Sequence, residues 1–374
     1  MPAASHLYIH VPFCSRRCSY CDFAIAVRRV VPVQEYVDAV AAELAGRAAS
    51  TPLGALKTVY LGGGTPSKLG LDGIRSLLGA LRSHRRAGLD PDVEVTIEAN
   101  PEDVTAEAAT AWADAGVNRL SLGGQSFDDD SLAWMHRTHN AAATGLAVRT
   151  ARRAGIRDIS LDLIFALPGS LGRDWTADLR LALDLELDHL SLYGLTVEAR
   201  TPLGRWAARG EVREAPEDRY AEEFLIAHEM LGAAGFEHYE VSNFARPGKR
   251  SQHNSCYWRR AQYVGVGPSA HSYDGAVRRW NAREYEAWKT RALAGEDPIE
   301  GSERLTSDNT LAEEVYLGLR TKEGLSTHPG DDQTVDAWVE AGWASVVGGR
   351  VVLSAEGWLR LDSLAAALTA ARTR

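Results

Sequence analysis

Three of the four cysteines in the chain, Cys14, Cys18 and Cys21, fall within eight residues of one another. Spacings of four and three let three thiolates converge on one small object from a single loop. Tetrahedral zinc takes four ligands, commonly from two C-x-x-C pairs. No second pair exists here, and Cys256 stands alone. A cubane cluster held by three thiolates leaves one iron open for another ligand. Arg16, Arg17 and Ser19 lie among the thiols, which argues against three inert buried cysteines. A [4Fe–4S] cluster is therefore the favoured occupant, and a zinc-bearing binding module is the alternative.

Four further clusters have the residue types of a ligand site: Gly62-Gly63-Gly64-Thr65-Pro66, Glu98-Ala99-Asn100-Pro101, Gly123-Gly124-Gln125-Ser126, and Asp162 with Leu167-Pro168-Gly169. Glycines permit close backbone approach, and carboxylates accept from ammonium or hydroxyl groups. Another motif, His253-Asn254-x-x-Tyr257-Trp258, sets an imidazole beside aromatic rings, a combination suited to an iron-bearing macrocycle. Cys256 lies inside it, as either a ligand or a core residue.

The elements that must position these residues read as strand-then-helix units. Short β-rich runs occur at Leu7–Val11, Thr58–Leu61, Val93–Glu98, Arg119–Leu122, Ile159–Phe165 and His189–Tyr193. Between them lie helical patterns at Val33–Arg47, Leu71–His84, Ala106–Ala115, Ala141–Ala154 and Asp174–Leu185, several ended by glycine, as at Gly116, Gly155 and Gly235. Crossover helices imply a parallel sheet, and six units predict a partial (β/α)6 barrel. The four polar clusters all follow strands, where such sheets place their sites. The expected division is residues 1–235 as the barrel, 236–300 as an extension carrying the histidine motif, and 301–374 as a C-terminal α+β module. In that module, helical patterns at Asn309–Leu319 and Thr334–Ala341, a hairpin about Gly348-Gly349 and a last helix at Trp358–Leu368 predict a winged-helix-like arrangement.

Composition narrows the function. The 374 residues carry a formal charge of −9, and the last segment is itself acidic, which argues against a nucleic-acid partner. No apolar run reaches transmembrane length. The N-terminus lacks the basic start and apolar stretch of a secretory signal, so a cytoplasmic protein is expected.

Cys-x-x-x-Cys-x-Tyr-Cys after the first strand, with the later Gly-Gly-Gly-Thr-Pro, resembles the radical S-adenosylmethionine (SAM) superfamily. Tyr8 to Cys14 and Cys21 to Phe23 resemble its oxygen-independent coproporphyrinogen III oxidase-like group, and the match is closest to the HemW heme-chaperone family. The resemblance continues through Glu98 to Glu102, Asn118 to Phe127, Leu161 to Phe165, His253 to Trp258 and Gly265 to His271. It implies a radical SAM barrel in which Cys14, Cys18 and Cys21 hold the cluster. It also implies that Tyr8, Tyr20, Gly63, Gly64, Thr65, Glu98, Gln125, Arg137 and Asp162 surround SAM, and that His253 contacts heme. The implied partners are heme and a membrane respiratory hemoprotein that receives it, reached by a protein peripheral to the inner face of the membrane. A homodimer stays open. The oxidase pattern adds a fourth cysteine two residues after the third and a long N-terminal extension. This chain has Phe23 there, and only seven residues precede Tyr8. Both departures favour the chaperone branch over oxidative decarboxylation of coproporphyrinogen III.

Overall fold

The computed structural model describes residues 4–47, 53–83, 90 and 92–373. Six parallel strands form its centre: β1 (Ala4–Val11), β2 (Leu53–Gly63), β3 (Glu94–Ala99), β4 (Arg119–Gln125), β5 (Asp158–Phe165) and β6 (His189–Gly194). Three later strands extend the same sheet. β7 (Glu237–Glu240) and β8 (Asn243–Ala245) form an antiparallel pair beyond β6, and β9 (Val264–Val266) lies parallel to β1 at the opposite edge. The order is β9-β1-β2-β3-β4-β5-β6-β8-β7. The partial barrel is thus wider than its six expected units, because three added strands of three or four residues pair at its edges.

The crossovers are α1 (Val33–Arg47), α2 (Gly70–Ser83), α3 (Ala106–Asp114), α4 (Ala141–Arg153) and α5 (Trp175–Leu183), followed by α6 (Glu217–Ala233). The expected last residue of the second helix, His84, lies outside the described residues. In α2 the buried side chains Ile74, Leu77, Leu78 and Leu81 repeat at helical spacing, so one stripe packs inward. Thr105, Asn140 and Asp174 cap α3, α4 and α5 through their side-chain oxygens.

Strand periodicity separates two chemistries. Leu7, Ile9 and Val11 of β1 are fully buried in one core with Tyr36 and Val40 of α1 and Leu78 of α2. The alternate residues His6, Tyr8 and His10 face the barrel interior, as do Thr58 and Tyr60, Glu94 and Glu98, Ser121, Asp162 and His189 on the other strands. Thr58 pairs in register with Glu94, and Gly123 with Asp162. The interior is consequently a column of polar and aromatic groups inside an apolar sleeve.

After β8 comes α7 (Gln252–Trp258), whose first turn reaches the end of the barrel where the strands begin: the Glu94 carboxylate accepts from the backbone N–H groups of Gln252 and His253, both at 2.9 Å. A small antiparallel sheet, β10 (His271–Tyr273), β11 (Val277–Asn281) and β12 (Ile299–Arg304), follows with α8 (Tyr285–Leu293). The chain ends in α9 (Ser307–Leu319), β13 (Leu325–Ser326), α10 (Asp332–Glu340), the hairpin β14 (Ala344–Val347) and β15 (Arg350–Leu353), and α11 (Leu361–Arg372). Gly348 and Gly349 turn that hairpin with φ of 58° and 73°, the left-handed pair a two-residue hairpin requires.

Candidate functional site

A cavity of about 420 Å³ opens at the end of the barrel where the strands finish. Its first wall is the loop after β1. Phe13 anchors that loop against Tyr36 and Tyr285, with ring centroids 5.4 and 5.1 Å away. Backbone bonds from Ala26 to Pro12, Ser19 to Met135 and Leu203 to Ser19 hold its far side. Cys14, Cys18 and Cys21 all line the cavity, half-buried and free of disulfides. The Cys14 sulfur lies 3.3 Å from Thr65 Oγ1, and Arg137 Nη1 donates to Cys18 Sγ at 3.4 Å. Burial pushes the Cys14 thiol up to about 11 and raises Cys21 as well. Burial thus favours the neutral forms of Cys14 and Cys21, and a metal is what converts such thiols to thiolates. The donor set therefore fits a cluster.

The second wall is the glycine turn after β2. Gly63 has φ of 115°, and a Cβ there would come within 2.5 Å of the His10 ring. A Cβ on Gly64 would lie 2.6 Å from Pro12 O. Only glycine allows this close passage beside the cysteine loop. The Gly63 N–H donates to Glu98 Oε2 at 2.9 Å, and Tyr60 Oη donates to Glu98 Oε1 at 2.8 Å.

Charges of both signs line the remaining wall. Burial pushes Glu98 up to about 7 and Asp162 up to about 6. Neither carboxylate has an ion-pair partner among the described residues; Asp162 accepts from Ser121 Oγ at 3.2 Å. Arg137 donates through Nη2 to Asn100 Oδ1 at 2.6 Å and Gly123 O at 2.8 Å, both neutral acceptors, and its buried Nε has no hydrogen-bond partner among the described residues. Gln125 and His136, also on this wall, hold φ of 67° and 60°, the kind of backbone strain that collects at functional sites. Two carboxylates without a cation and one guanidinium without an anion suit a ligand that carries both an amino acid end and a positive centre. SAM is such a ligand.

Of the residues singled out from the sequence, Tyr20, Gly63, Gly64, Thr65, Glu98, Gln125, Arg137 and Asp162 come together here with the three cysteines. Tyr8 and His253 do not. Tyr8 donates to His10 Nδ1 at 3.1 Å and stacks on Tyr60 below the cavity. His253 is fully buried at the opposite end, with Nδ1 2.7 Å from Thr58 Oγ1 and Nε2 2.8 Å from Tyr257 Oη. Burial lowers its pKa to about 3, and its ring stacks on Tyr60 at 5.0 Å. As a heme ligand it would first have to release Thr58 or Tyr257. His6 and Cys256 complete this group, with candidate ligand atoms within 4.8 Å of one another. Ser121, His136 and Tyr193 line the cavity without having been singled out, and Asn100 does so from the Glu98–Pro101 cluster. Strand alternation was the signal available for Ser121 and Tyr193, two places from Arg119 and Ser191 on inward-facing positions.

Residues 8–182 match the model of the Radical SAM superfamily. The heme chaperone HemW of Mycobacterium tuberculosis (strain ATCC 25618 / H37Rv) is 36% identical over 364 residues, covering 96% of this chain and 93% of that protein. HemW of Bacillus subtilis (strain 168) is 36% identical over 319 residues, covering 85% and 84%. Among solved structures, the radical SAM enzyme coproporphyrinogen III oxidase (HemN) from Escherichia coli superposes with a TM-score of 0.81 over 99% of this chain and 91% of that one, at 21% identity. That likeness concerns the fold.

Proposed function

The chain belongs to the HemW family of the radical SAM superfamily, and from that premise we propose that it is a heme chaperone that binds a [4Fe–4S] cluster, SAM and heme and passes heme to a membrane hemoprotein such as a respiratory enzyme. The observation that carries the cofactor assignment is one cavity in which three free thiols meet unpaired Glu98, Asp162 and Arg137. Cys14, Cys18 and Cys21 would hold the cluster, which supplies one-electron reduction of SAM when bound. Arg137 would receive the SAM carboxylate, the Gly63-Gly64-Thr65 turn its amino end, and Glu98 and Asp162 its cationic or hydroxyl groups. Tyr20 and Gln125 would bound the same ligand, with Tyr8 supporting from beneath.

Residues 1–235 would thus hold the cofactors, leaving 236–300 and 301–374 for cargo. Phe23, 61% exposed at the cavity mouth, stands where the oxidase pattern has its fourth cysteine, which supports a chaperone over a decarboxylase. No helix among the described residues is long and apolar enough to cross a membrane, so delivery would proceed by surface encounter from the cytoplasmic side. The test is anaerobic reconstitution with iron and sulfide, followed by SAM, reductant and coproporphyrinogen III. The expected result is an iron-to-sulfide ratio near one, 5′-deoxyadenosine at most slowly, and no decarboxylated porphyrin. Multiple-turnover protoporphyrinogen would replace the chaperone with an oxidase.

A further inference from the structure

The cysteine loop has an outer face that the cofactor site does not use. Phe13 pairs with Ala26 and Cys14 with Val27 in a short parallel bridge, and the Arg28 N–H donates to Cys14 O at 3.0 Å. The loop therefore closes on itself, and Ser15-Arg16-Arg17 sets out beside Val27-Arg28-Arg29. Its frame is fixed from within: Phe13 packs against Tyr36 and Tyr285, and the chain enters α1 at Val33.

Three apolar side chains stand outward from this frame. Phe23, Val27 and Val30 are all exposed, and Val30, at 83%, is the most exposed large apolar side chain among the described residues. A single exposed valine is ordinary, whereas three such groups within eight residues make a patch.

Four arginines surround them. Arg16, Arg17, Arg28 and Arg29 are exposed as well, and Asp22 is the only acid between Cys14 and Pro32. Arg17 donates to the neutral Cys21 O at 3.3 Å, and Arg28 lies 3.6 Å from Glu286 in an exposed pair. Arg16 and Arg29 make no ion pair or side-chain hydrogen bond among the described residues. In a chain of formal charge −9 the loop is a cationic island.

The two features together select a partner. Side chains that stand out of a surface, rather than line a groove, suit a soft apolar medium, and arginines around them suit anionic headgroups. We propose that this face docks on an anionic phospholipid bilayer, with Phe23, Val27 and Val30 entering the interface and the four arginines meeting lipid phosphates. The proposal deepens the chaperone reading by naming the surface of the encounter, and it rests on that reading for a client in the membrane. Arg16, Phe23 and Ile25 also border the cofactor cavity, so docking turns the mouth of that cavity toward the bilayer.

The experiment is flotation of the full-length, cluster-reconstituted protein with vesicles of phosphatidylglycerol and phosphatidylcholine, against vesicles of phosphatidylcholine alone. The protein should bind the anionic vesicles only and be released by high salt. Arg29→Glu reverses one charge and should weaken binding roughly thirtyfold; Val30→Asp should abolish it. Val347→Asp, at a valine 63% exposed on β14, should change nothing. Hemin binding, read by the Soret band on the same samples, should be equal in all variants. Vesicle binding that survives Arg29→Glu and Val30→Asp, or is lost in Val347→Asp instead, overturns this face. Association only with vesicles that carry a membrane cytochrome makes the face a protein-docking surface and overturns the lipid assignment. Absence of any vesicle binding overturns the proposal and, with hemin still bound, leaves the chaperone reading standing. Vesicle binding without hemin binding sinks the cargo reading and keeps the docking face.

Discussion

The two ends of the barrel are built from the same strands and treat polar groups in opposite ways. Where the strands finish, Glu98, Asp162 and Arg137 face a cavity without charge partners, beside three free thiols. Where they begin, the polar groups are closed on one another: His6 and His253 share the Thr58 hydroxyl, Tyr257 takes the other nitrogen of His253, and Glu94 caps α7. Unsatisfied polar groups are costly where water is excluded. The open end keeps a binding capacity that the closed end has converted into structure. The comparison also explains why His253 does not line the open cavity: its two ring nitrogens meet Thr58 and Tyr257.

The largest effect that would sharpen this contrast is at the cysteines. Cys18→Ala should abolish cluster assembly, seen as loss of the charge-transfer absorbance after reconstitution, with little change in unfolding temperature because the thiol is half-buried and, among the described residues, takes a hydrogen bond only from Arg137. A large fall in stability would mean that the loop is a structural staple and would erase the difference between the two ends.

Next comes the charge pair of the open end. Glu98→Gln or Asp162→Asn should each weaken SAM binding roughly tenfold by removing an anion that a cationic ligand needs. The pH dependence has a definite sign. Burial raises both carboxyls above their ordinary values, to about 7 and about 6. In the ligand-free protein the stability present at low pH, with both groups protonated, is lost as pH rises through those values. SAM favours the ionised forms, so its affinity should increase between pH 6 and 8, and the unfolding temperature should rise more on SAM addition at pH 8 than at pH 6. Calorimetric titration across that interval checks this, and Glu98→Gln should flatten the upper part of the curve.

Legibility from sequence followed the same division. The open end could be read because its residues sit in contiguous clusters just past each strand: the cysteine triplet, Gly63-Gly64-Thr65, Glu98 and Gln125 are each announced by neighbours. The closed end joins residues far apart in the chain. Thr58 and His253 are 195 positions from one another, and no local pattern links them. Tyr8 was expected beside the cofactor from the family resemblance alone; on β1 its ring stacks on Tyr60. Strands β7, β8 and β9 escaped notice because three or four residues cannot establish an alternation. The hairpin at Gly348-Gly349 was visible because two adjacent glycines state the turn outright.

At the closed end the expected losses are in stability alone. Thr58→Val removes the hydroxyl that both His6 and His253 use and leaves two buried nitrogens without a partner. It should cost about 2–3 kcal/mol, measured by denaturant unfolding, with cluster assembly intact.

The smallest effect belongs to Tyr257→Phe. The substitution keeps the ring, which packs edge-on against His253 and Tyr263 with centroids 5.1 and 4.7 Å away, and deletes only the hydroxyl that His253 Nε2 meets at 2.8 Å. One buried nitrogen loses one partner, so the cost should be about 1 kcal/mol, less than for Thr58→Val because Thr58 serves two rings. If instead Tyr257→Phe left stability unchanged and freed His253 to bind hemin, the closed end would be a gated ligand site, and the opposition between the two ends would be one of access.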